Sequence, residues 1–239
     1  MPQTYDVDAD HILAEYRDAD PTRLAQFWGT VTAVGTPLRS ADGVHTTFLW
    51  RDTGAGVPMH VHINRVTDKA NYDLGRMQQV PGTDIHVCTL ELAPTHRASY
   101  GFQPALAPGE YPQGPPPHDS YPACRDPFNA QVLAGEGEYG LSVVSGPASP
   151  GQAEWEAAAV DSPGPVITED IYLGGAERPL WFHLPGNPGP EPLPLLTLFD
   201  AEAWFPRLHL PAALDTAQAA GTLPPLAVLG IANVDRPDR

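Results

Sequence analysis

His86-Val87-Cys88-Thr89-Leu90-Glu91-Leu92 sets His86, Cys88, Leu90 and Leu92 against Val87, Thr89 and Glu91, the two-residue alternation of a strand. Upstream, Thr46-Thr47-Phe48-Leu49-Trp50 and the stretch from Met59 to Val66 are rich in β-branched and aromatic residues, which favour sheet. Downstream, Ala98 to Phe102 adds a fourth strand and Gly140-Leu141-Ser142-Val143-Val144 a fifth. Turn residues fall between them at Asp42-Gly43, Gly54 to Pro58, Pro81-Gly82 and Ala93-Pro94. Short strands punctuated at that interval predict an all-β, immunoglobulin-like antiparallel sandwich.

Other patterns flank it. Asp10 through Trp28 carries Ile12, Leu13, Tyr16, Leu24, Phe27 and Trp28, which predicts short N-terminal amphipathic helices broken near Pro21. Asp20 reads as a helix start with Pro21 at the first helical position. Pro104 to Pro122 is a long loop rich in Pro, Gly and Tyr, and Gly146 to Pro165 reads as a linker. Beyond it, Leu180-Trp181-Phe182-His183-Leu184 predicts a strand. The apolar runs Leu193 to Phe199 and Leu226 to Ala232 suit buried parallel strands, and Pro211 to Ala220, followed by Gly221, suits a helix. The expected domains are a sandwich over 1–145, a linker over 146–165 and an incomplete α/β-hydrolase segment over 166–239.

The formal net charge is −16, with one Lys and twelve Arg. That argues against phosphate-backbone or anionic-membrane binding, which needs clustered cations. A local Arg can still read an anion. The polar, acidic start from Met1 to Asp10 lacks the features of a secretory signal, and no apolar run approaches a membrane span. Cys88 and Cys124 do not make a disulfide framework. A soluble cytoplasmic protein is expected.

A wider block carries a family pattern. It runs through Phe27-Trp28, Gly35-Thr36-Pro37-Leu38, Thr47 to Arg51, Asn64 to Lys69, and Val80-Pro81-Gly82-Thr83-Asp84. It continues through His86 to Leu92, Arg97 to Phe102 and Asp126-Pro127-Phe128-Asn129. This order resembles the N-terminal domain of bacterial enterochelin esterases, and the segment after the linker looks like the start of their esterase domain. The resemblance implies a substrate-capping domain, and a ferric catecholate siderophore as substrate and partner, with iron only as part of that ligand and no resident cofactor. In such enzymes a serine attacks an ester of the tri-lactone, and hydrolysis of the acyl-enzyme loosens the hold on iron.

That chemistry needs a Gly-x-Ser-x-Gly elbow, an acid and a histidine. No such elbow occurs; Gly140-Leu141-Ser142 comes nearest but lacks the second glycine. The expectation is therefore a chain from which the serine-nucleophile half is absent, as a truncated product or one half of a split enzyme completed by a second chain. A non-catalytic siderophore- or saccharide-binding module is the alternative. Asp200 and Glu202 match the position of an oxyanion-hole loop, with Ala201 where the family has glycine; a plain strand end capped by Asp200 explains them equally. Arg97, Arg65, Trp50, Tyr100 and Trp204 are the candidate substrate-binding residues, because guanidinium groups and aromatic faces suit a catecholate anion. Arg76 belongs with the candidate guanidiniums. His60-x-His62 with His86 has the makings of a metal site but no fourth ligand, and no metal is expected.

Overall fold

The computed structural model describes residues 8–54, 56–110, 124–132, 141–156 and 163–233. The chain divides into two compact units, Met1–Pro150 and Gly151–Arg239.

Unit one opens with helices α1 (Ala9–Glu15) and α2 (Pro21–Val34). Asp20 caps α2 as its side chain accepts from the N–H groups of Thr22 and Arg23, and Pro21 takes the first turn. A cap of this kind contributes about 1 kcal/mol. The helix stops at Gly35, whose φ of 81° spares a side chain the left-handed penalty. The strands follow as β1 (Leu38–Arg39), β2 (His45–Arg51), β3 (Met59–Ile63), β4 (Gln78–Gln79), β5 (Ile85–Glu91), β6 (Arg97–Pro104) and β7 (Ser142–Ser145). A 3-10 turn over Lys69–Gly75 lies between β3 and β4.

Two sheets result, in the orders β1-β2-β5-β4 and β3-β6-β7, with every pairing antiparallel. β5 sits inside the first sheet and is apolar on both sides. Cys88 and Leu90 face a core shared with Phe48, Val61, Ile63, Tyr100, Phe102 and Val144, so the two sheets pack on each other. Ile85 and Val87 face a second core with Ile12, Phe27, Trp28 and Val31, which places the helices over the sheet's other side. The alternation in His86–Leu92 thus separates two buried faces. Thr89, the polar member, accepts from the Ala9 amide and pairs with the Thr47 hydroxyl. Burial of each large side chain contributes roughly 1.5–3 kcal/mol.

Unit two contains α3 (Ala153–Glu156), β8 (Val166–Leu173), β9 (Ala176–His183), β10 (Leu195–Phe199), α4 (Ala201–Trp204), α5 (Leu210–Ala219) and β11 (Ala227–Ile231). Its sheet order is β10-β11-β9-β8, with β10 and β11 parallel and the rest antiparallel. β8 and β9 form a hairpin closed by Gly174-Gly175, at φ 65° and 87°, the two-residue turn whose twist matches paired strands. Gly230 is required for packing, since a Cβ there would lie 2.6 Å from the Phe205 ring and 2.8 Å from the Ala201 methyl.

Two expectations change here. β10 is parallel, but as an edge strand it is exposed, with Leu195 and Phe199 retaining 61% and 68% of their surface. β11 is only half buried, with Val228 and Gly230 inside. Among the described residues the packed cluster of buried hydrophobics in this unit is correspondingly small, formed by Ala201, Phe205 and Val228. α3 falls within the stretch expected as linker. No helix among the described residues is long and apolar enough to cross a membrane.

Candidate functional site

The sequence-predicted ligand residues scatter over different surroundings. Trp50, near the end of β2, is partly buried and its ring lies 5.3 Å from Phe102. Arg97 opens β6, partly exposed, and donates to the Pro150 carbonyl at 3.4 Å. Arg65 is exposed in the turn after β3, at φ 64°. Trp204 ends α4 in unit two and keeps 37% of its surface. Tyr100 is a correction: it is fully buried between Phe48 and Phe102 and has no face to offer a ligand. Arg76 is another. Its guanidinium donates to Asp73 at 2.6 Å and to the carbonyls of Leu106 and Ala107 at 2.6 and 3.0 Å, tying down a loop.

Tyr100 belongs to a buried polar network that sequence reasoning missed. Its hydroxyl donates to Asp126 at 2.6 Å, as does the Thr36 hydroxyl at 2.7 Å. The Phe128 amide donates to the other carboxylate oxygen at 2.9 Å, and Asn129 donates to the Tyr100 hydroxyl at 3.0 Å. Burial holds the Asp126 carboxyl above its ordinary pKa, although its hydrogen bonds pull it down. Burial, then the Asp126 charge, pushes the Tyr100 phenol up. Ser142, the nearest match to a nucleophile elbow, lies buried on β7, where its Oγ accepts from the Asp126 amide at 3.0 Å. It has no access to substrate.

Much of the family pattern is therefore scaffold. Asp126 and Asn129 hold the network, and Phe128 stacks on Trp28 at 5.2 Å. Asp84 accepts from the Trp28 indole and from Arg51, both at 2.8 Å. Thr67 donates to the Val61 carbonyl and accepts from the Ile63 amide, both at 2.8 Å, fixing the turn after β3.

The histidines do not converge. His60 is fully buried, stacked on Tyr72 at 3.9 Å, and its Nε2–H donates to the Tyr72 carbonyl at 2.9 Å. Burial lowers its pKa to about 4. His62 lies 6.4 Å from it, centroid to centroid. His86 is on the other sheet, 3.9 Å from the Asp52 carboxylate. Among the described residues no cluster of three possible ligands forms. Cys88 is an inert core thiol, pushed up to about 12 by burial.

In unit two the oxyanion-hole candidates lie where parallel strands end. Asp200, not Ala201, takes the left-handed backbone, at φ 58°. Ala201 is fully buried and packs against β11, so alanine in place of the family's glycine carries no backbone strain. Asp200 and Glu202 both accept from the Asn233 side chain, which joins the ends of β10 and β11. A second buried pair lies between β9 and α5, with His183 Nε2 3.2 Å from Asp215. Burial pulls the imidazole's pKa down more than the carboxylate raises it.

An antiparallel two-sheet unit is followed by a mixed sheet with a helical crossover, and the fold resembles that of solved enterobactin esterases. Residues 45–155 match the family described as enterochelin esterase, N-terminal. The chain is 28% identical over 232 residues to the iron(III) salmochelin esterase of Escherichia coli, covering 90% of this chain and 54% of that protein. It is 29% identical over 243 residues to the iron(III) enterobactin esterase of Dickeya dadantii, covering 87% and 54%. The solved ferric enterobactin esterase of Salmonella typhimurium superposes with a TM-score of 0.65 at 26% identity, over 90% of this chain and 60% of that one. Residues 45–155 thus carry the enterochelin esterase N-terminal domain, and the chain around them is similar to siderophore esterases. It spans about half the length of the Escherichia coli and Dickeya relatives.

Proposed function

We propose that this chain takes part in ferric-siderophore processing in the cytoplasm, supplying the substrate-capping domain and the leading strands of an esterase. Similarity to siderophore esterases along about nine-tenths of the chain, reaching about half of their length, is the observation that carries this reading. Unit one acts as an immunoglobulin-like sandwich that helps hold a ferric catecholate anion, with Arg97, Arg65 and Trp50 as contacts and no resident cofactor. The Asp200–Glu202 loop, at the carboxyl end of β10 where open α/β sheets place their ligands, offers a backbone N–H for an oxyanion hole. Ester cleavage requires a serine elbow that these 239 residues do not contain. Equilibrium dialysis against ferric enterochelin tests the binding role. Saturable binding, weakened about tenfold or more in Arg97→Ala by loss of a charged hydrogen bond, is the expected result. No binding by the parent chain would remove the proposal.

A second reading rests on the edge of unit two. Leu195, Leu196 and Phe199 on β10 stay exposed, and an apolar unpaired edge invites a further strand. Pairing with a second chain that completes the hydrolase sheet fits this edge better than a stand-alone binding module does.

A further inference from the structure

A cleft of about 520 Å³ opens in unit one where α2 ends and β1 begins, within the range typical of small-molecule sites. None of the residues considered above as siderophore contacts lines it. Its apolar wall includes Val34, Leu38, Phe128 and Val143. Its polar groups include Arg39 and Ser145.

Arg39 is the unusual member. Its half-buried guanidinium donates to the Thr46 hydroxyl at 3.2 Å and to the Ser145 carbonyl. Those two bonds leave most of its five N–H donors unused, and among the described residues no carboxylate lies within ion-pair distance. Burial lowers its pKa, and its interaction with Tyr100 only partly opposes that shift. A desolvated, unpaired cation costs energy that a bound anion would recover. Beside it, the Ser145 Oγ is buried without a hydrogen-bond partner. The acid on the lining, Asp42, is largely exposed and already accepts from Ser40 and the Val44 amide. Asp126, beneath Thr36, has its oxygens taken by Thr36, Tyr100 and the Phe128 amide.

The last turn of α2 completes the lining, with Thr32 and Ala33 and no basic residue. A helix C-terminus presents unsatisfied carbonyls, which repel an anion but accept from a hydroxyl. The cleft therefore asks for an anionic group, an aromatic or apolar body and a hydroxyl donor in one molecule.

We propose that this cleft binds a small hydroxylated aromatic carboxylate, with Arg39 and Ser145 taking the carboxylate, Phe128 and Leu38 flanking the ring, and the α2 carbonyls accepting from the hydroxyl.

Titration of the full chain with 4-hydroxybenzoate, followed by calorimetry and by backbone amide shifts, tests this. The expected result is saturable binding with shifts at Arg39, Phe128 and Ser145. The neutral isostere 4-hydroxybenzamide and the variant Arg39→Gln should each bind on the order of tenfold or more weakly, and Ser145→Ala a few-fold more weakly. Arg39→Lys, which keeps the charge while losing the fork, should lie between the parent and Arg39→Gln, and guards against a folding defect in the latter. No binding, equal affinity for the amide, unchanged affinity in a folded Arg39→Gln, or shifts centred on other arginines would each overturn the assignment.

Discussion

In unit one Phe48, Tyr100 and Phe102 lose all solvent contact, whereas in unit two Leu195, Phe199 and Tyr172 keep 61%, 68% and 79% of theirs. Unit one covers its central sheet from both sides, with the second sheet on one face and two helices on the other. Unit two lays out a sheet of similar strand content and buries far less against it. Fold class alone does not produce this difference. A strand pattern stabilises a unit only when its own chain also supplies the covering layer.

The sharpest way to break this contrast is a pair of truncations. Phe102→Ala should cost about 3–5 kcal/mol in urea unfolding, as a buried aromatic leaves a cavity. Phe199→Ala should stay within about 0.5 kcal/mol, as expected for an exposed side chain. Comparable losses at both positions would erase the distinction between the units.

Protonation of His60 comes next. Its folded-state value of about 4 lies below the ordinary 6.5, so as pH falls the unfolded chain takes up the proton first. The stability tied to the neutral imidazole is complete above pH 6.5 and is lost progressively toward pH 4, by roughly 3 kcal/mol at most. Unfolding free energies measured across that window should flatten in His60→Gln, which can still donate to the Tyr72 carbonyl. An unchanged slope would place the pH sensitivity elsewhere.

A smaller effect is expected at the Asp126 network. Asp126→Ala strands the Tyr100 and Thr36 hydroxyls and the Phe128 amide, at a cost of about 2 kcal/mol. Asp126→Asn should cost less, and a neutral result for both would show the network to be dispensable. Smallest in stability is Leu196→Asn on β10. Unfolding should barely change, while self-association in analytical ultracentrifugation should fall; persistent association would mean that β10 is not the adhesive edge.

Legibility in the sequence follows the same division. The helix break at Asp20-Pro21 was readable because capping and proline chemistry are local. Strands β2, β3, β5, β6 and β7 were readable because each carries β-branched or aromatic residues between turn signals. β8 follows directly on Pro163 and Pro165, whose linker-like composition masks its start, although Gly174-Gly175 marks its hairpin. The apolar runs Leu193–Phe199 and Leu226–Ala232 foretold strands but not their exposure, since burial depends on what lies over them. Tyr100 read as a ligand face because its partner Asp126 lies 26 residues away, beyond any local signal. The pairing of His183 with Asp215, and the lack of a carboxylate beside Arg39 among the described residues, were invisible for the same reason.

Chromatography of ferric enterochelin after incubation with the purified 239-residue chain bears most directly on the division between capping and cleavage. The tri-lactone should come through intact while remaining bound to protein. Linear hydrolysis products that disappear when one of the chain's own serines is replaced by alanine would contradict it.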